Sequence, residues 1–166
     1  MVPPYTLILS LLLLPSTQAF ATVPAIWDGE CFYPVRDSLF SPAKYGGKWN
    51  YIAGTDTPFS SAGCICNITA THTAVGSGNL LFDGACHGGS VTGPKTFVAY
   101  AEPAPSGHGA SGAYIVDYPG APKRPCPGPN HVVLDCVGGM AVVGTGNFSS
   151  IYLLSREADL DKFTLE

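Results

Sequence analysis

Six cysteines and four histidines are the residues of this chain with the widest chemical repertoire. An even number of cysteines is typical of disulfide bonds in a secreted protein, and zinc ligation is the rival use. Cys64 and Cys66 are separated by one residue, whereas common structural zinc sites place two residues between paired cysteines. The spacing therefore favours disulfides, and we expect no metal ion or other cofactor. The six residues are Cys31, Cys64, Cys66, Cys86, Cys126 and Cys136.

The histidines and hydroxyl residues give little indication of catalysis. His72, His87, His108 and His131 include no pair four residues apart, the spacing that places two metal ligands on one helix face. No Ser, His and Asp set forms a recognisable nucleophile motif, and the even cysteine count leaves no obvious spare thiol. We therefore predict that the chain is not an enzyme, and we expect each histidine to be an ordinary surface residue.

The N-terminal segment has the features of a secretory signal peptide. Its apolar run, Leu7 to Leu14, is shorter than the roughly 20 residues that span a bilayer. Pro15 follows the run, and Ala19 and Ala21 supply small residues at the spacing of a cleavage site. The alternative, a buried N-terminal helix, lacks a polar face and a cap. We expect cleavage after Ala21, one mature domain over residues 22–166, secretion to the extracellular space and no stable membrane insertion.

Composition and charge indicate a folded, turn-rich domain. Hydrophobic residues make up 46% of the chain and charged residues 12%, with a formal net charge of −4. Glycine and proline, at 20 and 15 residues, form no repeat or low-complexity block. Because no basic patch is present, nucleic acid is not an expected partner. We also expect the protein to be a monomer.

Short apolar and β-branched runs alternate with turn residues along the mature chain, a pattern typical of a β-sandwich or an up-and-down barrel. Helix signals are few. Ser41 and Pro42 could begin one short turn, and Glu157 to Leu165 could begin a C-terminal helix. The predicted strands are Lys48 to Thr55, Cys66 to Val75, Leu80 to Cys86, Thr96 to Ala101, Ala113 to Tyr118, His131 to Cys136, Met140 to Gly144 and Ser150 to Ser155.

The first of these strands resembles the signature of the lipocalin family. That signature is Gly-x-Trp after a short helical turn, and Gly47 and Trp49 occupy its two fixed positions behind Ser41–Tyr45. The N-terminal segment Asp28–Cys31 is similar to that of arthropod pigment-binding lipocalins. The segment Cys64–Ala70 is similar to the cysteine-bearing second strand of the family.

The last predicted strand, Ile151–Arg156, is similar to that of apolipoprotein D and bacterial lipocalins. The resemblance implies that Arg156 lies across Trp49 at the closed end of the barrel, in a structural role. Two features depart from the family: of the motif Thr-Asp-Tyr only Asp135 is retained, and the chain stops at Glu166, where a full helix is usual. The resemblance as a whole implies an all-β, eight-stranded antiparallel barrel with a short N-terminal helical turn and a truncated C-terminal helix.

The function implied by the resemblance is binding and transport of one small hydrophobic ligand, such as a fatty acid, sterol, retinoid or pigment. The alternatives are a lipocalin-fold enzyme that acts on a lipophilic substrate and a secreted interaction protein with a filled barrel. Strand alternation selects the residues expected to line the cavity. They are Tyr51, Ala53, Phe97, Ala99, Ile115, Val133, Val142 and Leu153.

Two further kinds of site concern the surface and the disulfides. Asn67 and Asn147 lie in N-glycosylation sequons. Cys86 follows a strand that forms a hairpin with the strand of Cys64 and Cys66, so one of those two is its expected partner. The other bridges are expected to tie Cys31 and the segment around Cys126 to the barrel, and Cys136 is one candidate partner for them. All six cysteines are expected to be oxidised.

Overall fold

The computed structural model describes residues 23–55, 64–88, 94–121 and 123–158, with the side chains of residues 64–66, 87–88 and 94 excluded. The predicted signal peptide and most of the predicted C-terminal helix lie outside these residues. No helix within the described ranges is long and apolar enough to cross a membrane.

The described part of the chain contains ten strands and one short α-helix. They are β1 (Ala25–Trp27), β2 (Phe32–Pro34), α1 (Pro42–Tyr45), β3 (Gly47–Gly54), β4 (Cys64–Ala74), β5 (Leu80–Gly88), β6 (Pro94–Pro103), β7 (Ala113–Asp117), β8 (His131–Val137), β9 (Met140–Gly144) and β10 (Ile151–Ser155).

Strands β3 to β10 form a closed antiparallel barrel. Each strand from β3 to β9 pairs with its successor in the chain, and β10 closes the wall by pairing with both β9 and β3. This arrangement confirms the predicted eight-stranded up-and-down barrel, and every predicted strand boundary lies within two residues of the observed one. The predicted helical turn is also confirmed, as α1.

A small hairpin outside the barrel, formed by β1 and β2, has no counterpart in the predicted elements. A disulfide between Cys31, at its turn, and Cys126, in the β7–β8 loop, fixes it to the barrel. Asp28 shapes the turn, since its carboxylate accepts the backbone N–H of Cys31 at 2.8 Å. Asn147 of the β9–β10 loop accepts the backbone N–H of Phe32 at 2.8 Å. Cys31 is thus tied to a loop of the barrel as expected, but the bond is to Cys126 and does not involve Cys136.

Trp49 and Arg156 meet at one end of the barrel, as the resemblance implied. The Trp49 side chain is 1% exposed, and its indole N–H donates to the carbonyl of Tyr45 at 2.8 Å. The Arg156 guanidinium carbon lies 3.6 Å from the centroid of the indole. Its N–H groups also donate to three main-chain carbonyls at 2.6–2.8 Å, those of Lys44, Gly46 and Lys48.

Gly47 provides the space for this arginine. Its φ of +92° lies in the left-handed region, and a Cβ at this position would lie 3.2 Å from Nη1 of Arg156. A side chain here would therefore strain the backbone and crowd the guanidinium. The Gly-x-Trp spacing places the glycine that makes room for Arg156 and the tryptophan that Arg156 covers two residues apart at the start of β3.

We predict that Arg156→Lys lowers the free energy of unfolding by about 2 kcal/mol, since a lysine ammonium cannot reproduce the planar contact and the forked hydrogen bonds. Chemical denaturation measures the loss. Arg124→Lys is the matched control: Arg124 donates one hydrogen bond of 3.3 Å, to the carbonyl of Gly128, and a change within about 0.5 kcal/mol is expected. Equal losses in the two variants would contradict a special role for Arg156.

Candidate functional site

One continuous cluster of buried side chains lies in the space that the barrel encloses. Its largest members are aromatic, whereas several strand positions between them carry alanine. Alternation of large and small inward residues is typical of small barrels. The aromatic members are Tyr45, Trp49, Phe82, Phe97, Tyr114, Tyr118 and Tyr152, and the alanines are Ala70, Ala99, Ala101 and Ala141.

Four of the predicted wall residues face this interior: Tyr51, Phe97, Ala99 and Val133. The ring of Tyr51 stacks on that of Tyr152 with centroids 5.5 Å apart. Phe97 lies over Gly84 of the neighbouring strand, where any Cβ would overlap the ring. The structure thus brings these four side chains to one surface, and their contact with a ligand stays a prediction.

Ala53 and Leu153 were wrongly predicted to face inward. The pairing of β10 with β3 is irregular between Leu153 and Leu154: Leu154 lies opposite Tyr51, but Leu153 lies opposite Ala53. The extra residue on β3 forms a bulge, which shifts the alternation of faces by one position. Ala53 is consequently exposed and Leu153 only half-buried.

Ile115 and Val142 were also wrongly predicted to face inward. Ile115 packs in a second apolar cluster around Val132, apart from the main core. On β9, Ala141 and Val143 face inward, so the half-buried Val142 between them faces outward. In both strands neighbouring residues on the two faces are apolar, and polarity alone therefore cannot identify the inner one.

The most polar feature of the interior is a hydrogen-bonded cluster centred on His131, which is fully buried. The hydroxyl of Tyr45 lies 2.8 Å from Nε2. On the opposite side of the ring, the hydroxyls of Tyr152 and Tyr118 lie 2.9 and 3.2 Å from Nδ1. A neutral imidazole donates through one nitrogen and accepts through the other, so hydroxyl partners on both sides suit the neutral ring.

His72, the second buried histidine, has a different environment. Its side chain is 1% exposed, and its ring centroid lies 4.1 Å from that of Phe82 and 4.8 Å from that of Tyr45. Among the described residues, no group makes a well-aligned hydrogen bond to either ring nitrogen, although the backbone of Tyr45 is near enough to bond to the ring and opposes the lowering of its pKa. The ring of His131 is its polar neighbour, 6.2 Å away between centroids.

Both buried histidines are held in the neutral form. Burial lowers the pKa of His131 from 6.5 to about 3. Burial also lowers the pKa of His72 well below its ordinary value, and the nearby His131 and Arg156 act in the same direction. The expectation that these two residues are ordinary surface histidines is therefore wrong. A signal for His72 was available, because it shares a strand face with Ile68 and Ala70.

The cysteines follow the predictions only in part. Cys86 is in a disulfide, but the side chains of its expected partners, Cys64 and Cys66, lie outside the described residues. Cys136 is a free thiol, so the expectation that all six cysteines are oxidised is wrong. Cys31 and Cys126 bond to each other, so neither is available to Cys136. Burial raises the pKa of the Cys136 thiol although Arg156 opposes this effect, and such a thiol is a weak nucleophile at neutral pH.

Three other predicted residues lie on the surface. Asn67 is exposed at a bulge in β4, with a φ of +49°. Asn147 is exposed in the β9–β10 loop, and its amide nitrogen lies 3.5 Å from Sγ of Cys31. Asp135 is exposed on β8. Both sequons are thus accessible, and glycosylation at Asn67 and Asn147 stays a prediction.

The pairing between neighbouring strands of the barrel is shortest between β7 and β8, which share two residue pairs. The carboxamide of Asn130 extends this pairing by accepting the N–H of Val116 at 2.7 Å and donating to its carbonyl at 2.9 Å. A cavity of about 300 Å³ adjoins this seam. The sequence does not predict this cavity, because its lining residues come from the end of β7 and from separate parts of the long β7–β8 loop. The described lining residues are Val116, Asp117, Tyr118, Ala121, Lys123, Arg124 and Asn130.

No family model matches the chain, and no curated protein matches it.

We predict that the neutral histidines make stability depend on pH. Below its ordinary pKa of 6.5, His131 takes up a proton in the unfolded chain, but in the folded protein only near pH 3. The free energy of unfolding should therefore fall as the pH drops, by about 1 kcal/mol per pH unit for this residue between about pH 6 and 5. Denaturation midpoints across this range measure the slope.

His131→Phe should reduce that slope even though the variant is less stable, because three buried hydroxyls lose a partner. Tyr118→Phe is the control, since it removes one hydroxyl from the same cluster and keeps the imidazole. An unchanged slope in His131→Phe would show that His131 is not the group responsible.

Proposed function

We propose that this chain is a secreted, lipocalin-like protein that binds and carries one small hydrophobic molecule inside its barrel. The closed eight-stranded barrel carries the proposal, because the interior of such a barrel is either filled by side chains or holds one small ligand. The contact between Trp49 and Arg156 supports the family resemblance seen in the sequence. The candidate ligands are fatty acids, sterols, retinoids and pigments, bound chiefly by burial of apolar surface.

The inward side chains favour a ligand in the half of the barrel away from Trp49. On β6, the inward positions Phe97 and Ala99 precede Ala101, and on β3 Tyr51 follows Trp49 toward the same half. Aromatic walls with small residues between them suit an apolar molecule with little charge. We expect Tyr51, Phe97, Ala99 and Val133 to contact it.

The cavity beside the β7–β8 seam offers a route into this half. Tyr118 lines the cavity, and its hydroxyl also belongs to the His131 cluster inside the barrel. Movement of this one side chain would open the cavity toward the cluster inside the barrel. Because the pairing between β7 and β8 is short, separating these two strands breaks fewer hydrogen bonds than separating any other neighbouring pair in the wall.

Secretion is supported by the disulfide between Cys31 and Cys126, since such bonds persist in oxidising compartments. The apolar N-terminal run and the two exposed sequons agree with an extracellular glycoprotein. We expect the mature protein to act as a monomer.

The first test is titration with Nile red, a neutral fluorescent probe. We expect saturable binding of one probe per chain, insensitive to salt because burial rather than ion pairing drives it. Native mass measurement of the purified protein would detect a co-purified ligand. The proposal fails if Nile red and a broad panel of lipids show no saturable binding.

Ala99→Trp is the variant that tests the place of binding. The residue is 1% exposed and faces inward, so an indole there should occupy the ligand volume and weaken Nile red binding by on the order of tenfold or more. Val98→Trp is the matched control, because Val98 lies on the outer face of the same strand and is 54% exposed. Thermal melting checks that both variants fold, and unchanged binding in Ala99→Trp would exclude this part of the interior.

A further inference from the structure

We propose that the cavity beside the β7–β8 seam is an anion site, in which Lys123 and Arg124 hold the carboxylate of a fatty acid whose chain enters the barrel. This inference rests on the proposed function, and it narrows the ligand class to amphiphiles with an ionised head group. Neutral lipids of the same chain length are expected to bind more weakly.

The inner side of this cavity is apolar and belongs to the core of the barrel. Val116 and Tyr118, which line it, are 1% and 8% exposed and are members of the main buried cluster. Ala121 also lines the cavity and packs against the same cluster. An alkyl chain that enters here would therefore be removed from water against the surface of the core, which is favourable.

The outer side of the cavity carries charge. Lys123 is exposed and Arg124 is half-buried, whereas Asp117, the one carboxylate among the described lining residues, is exposed at the end of β7. Two cations against one carboxylate leave a local excess of positive charge, although the chain as a whole has a formal net charge of −4. A ligand carboxylate would balance that excess.

Both cations have hydrogen-bonding capacity for a ligand. Within the described part of the chain, Arg124 donates one hydrogen bond, of 3.3 Å, to the carbonyl of Gly128, and a guanidinium has five N–H groups. Neither cation forms an ion pair with Asp117 among the described residues. A guanidinium can bind a carboxylate through two parallel hydrogen bonds, and such charge-assisted bonds are roughly twice as strong as neutral ones.

The loop that carries the two cations is fixed a few residues further along the chain. Cys126 is bonded to Cys31, and the backbone N–H of Gly128 donates to the hydroxyl of Tyr33 at 2.9 Å. A backbone that is already held in place loses less freedom when a ligand binds. The cations also line a second cavity, of about 310 Å³, where Glu30 supplies the carboxylate and positive charge is again in excess.

The size of the cavity indicates where the rest of the ligand lies. Its volume is about 300 Å³, at the lower end of the range for ligand pockets, and it therefore suits a head group and the first part of a chain. Burial raises the pKa of Tyr51, and the neighbouring phenol of Tyr118 adds to this effect. A chain that passes Tyr118 would thus reach Tyr51, which we expect to contact the ligand inside the barrel.

A matched pair of ligands tests the inference: dodecanoic acid and dodecanol, each used to displace Nile red from the mature protein at neutral pH. The two molecules have the same number of carbons, so the burial of the chain should be similar and the head group decides the difference. We expect the acid to bind about tenfold more tightly at low salt. Added salt should reduce this advantage, because it screens the attraction between the head group and the cations.

The double variant Lys123→Gln, Arg124→Gln tests the role of the cations. It should remove most of the advantage of the acid and leave the affinity for dodecanol within about twofold. The matched control is the double variant Lys44→Gln, Lys48→Gln, which changes the net charge equally. Both control side chains are exposed at the Trp49 end of the barrel, and the preference for the acid should persist there.

Ala121→Trp tests the place of the head group. An indole at this half-buried lining position should fill the cavity and weaken binding of the acid by about tenfold, whereas Nile red, bound inside the barrel, should keep its affinity. Thermal melting checks that each variant folds. If Ala121→Trp does not fold, the double variant and the ligand pair still decide the result.

The outcomes separate the inference from the proposed function. If Nile red binds and dodecanol binds as tightly as the acid or more tightly, the inference is overturned and the proposed function stands. If the acid is preferred but the variant without Lys123 and Arg124 keeps that preference, the head group lies elsewhere and the inference is also overturned. If nothing binds, including Nile red, the proposed function itself fails and the inference fails with it.

Discussion

Closure of the barrel depends on the contact between its first and last strands, and Arg156 secures that contact. The residue follows β10 and reaches across β3, where it covers Trp49 and binds the carbonyls of Lys44, Gly46 and Lys48. Two of those carbonyls belong to the turn that precedes β3 and would otherwise lack a partner on that side. The arginine therefore supports the packing of the indole, satisfies the helical turn and joins the two ends of the sheet. An open sheet with the same strands would expose two edges.

The strands were predictable from the sequence, whereas the direction of individual side chains was predictable only in part. Strand boundaries depend on local residues, and turn residues such as Gly138 and Gly139, both with positive φ, end the strands where the sequence indicates. The direction of a side chain depends on pairing with another strand. The bulge opposite Leu153 is a property of the β3–β10 pair, and no local pattern in either strand shows it. The inward direction of Phe97 and Ala99 was predicted correctly, because β6 alternates regularly between buried and exposed residues.

The buried histidines were missed for a related reason. A single histidine in a β-strand is usually exposed, and its burial becomes probable only when its inward direction is known. His72 shares its face with Ile68 and Ala70, so the strand pattern alone could have placed it inside. His131 begins β8 next to two valines, and its burial depends on three tyrosines that come from α1, the β7–β8 loop and β10. No sequence pattern brings these four residues together before the barrel closes.

The placement of polar groups within an apolar barrel also limits what the barrel can bind. A fully apolar interior would accept any hydrophobic molecule of suitable size and could not distinguish its polar end. The His131 cluster is internally satisfied, and it therefore rigidifies the interior without offering a bond to a ligand. His72 lies next to that cluster, and its position is defined by packing against the rings of Phe82 and His131. Buried neutral rings also exclude a charged group from their part of the barrel, because an unpaired charge buried beside them is strongly unfavourable.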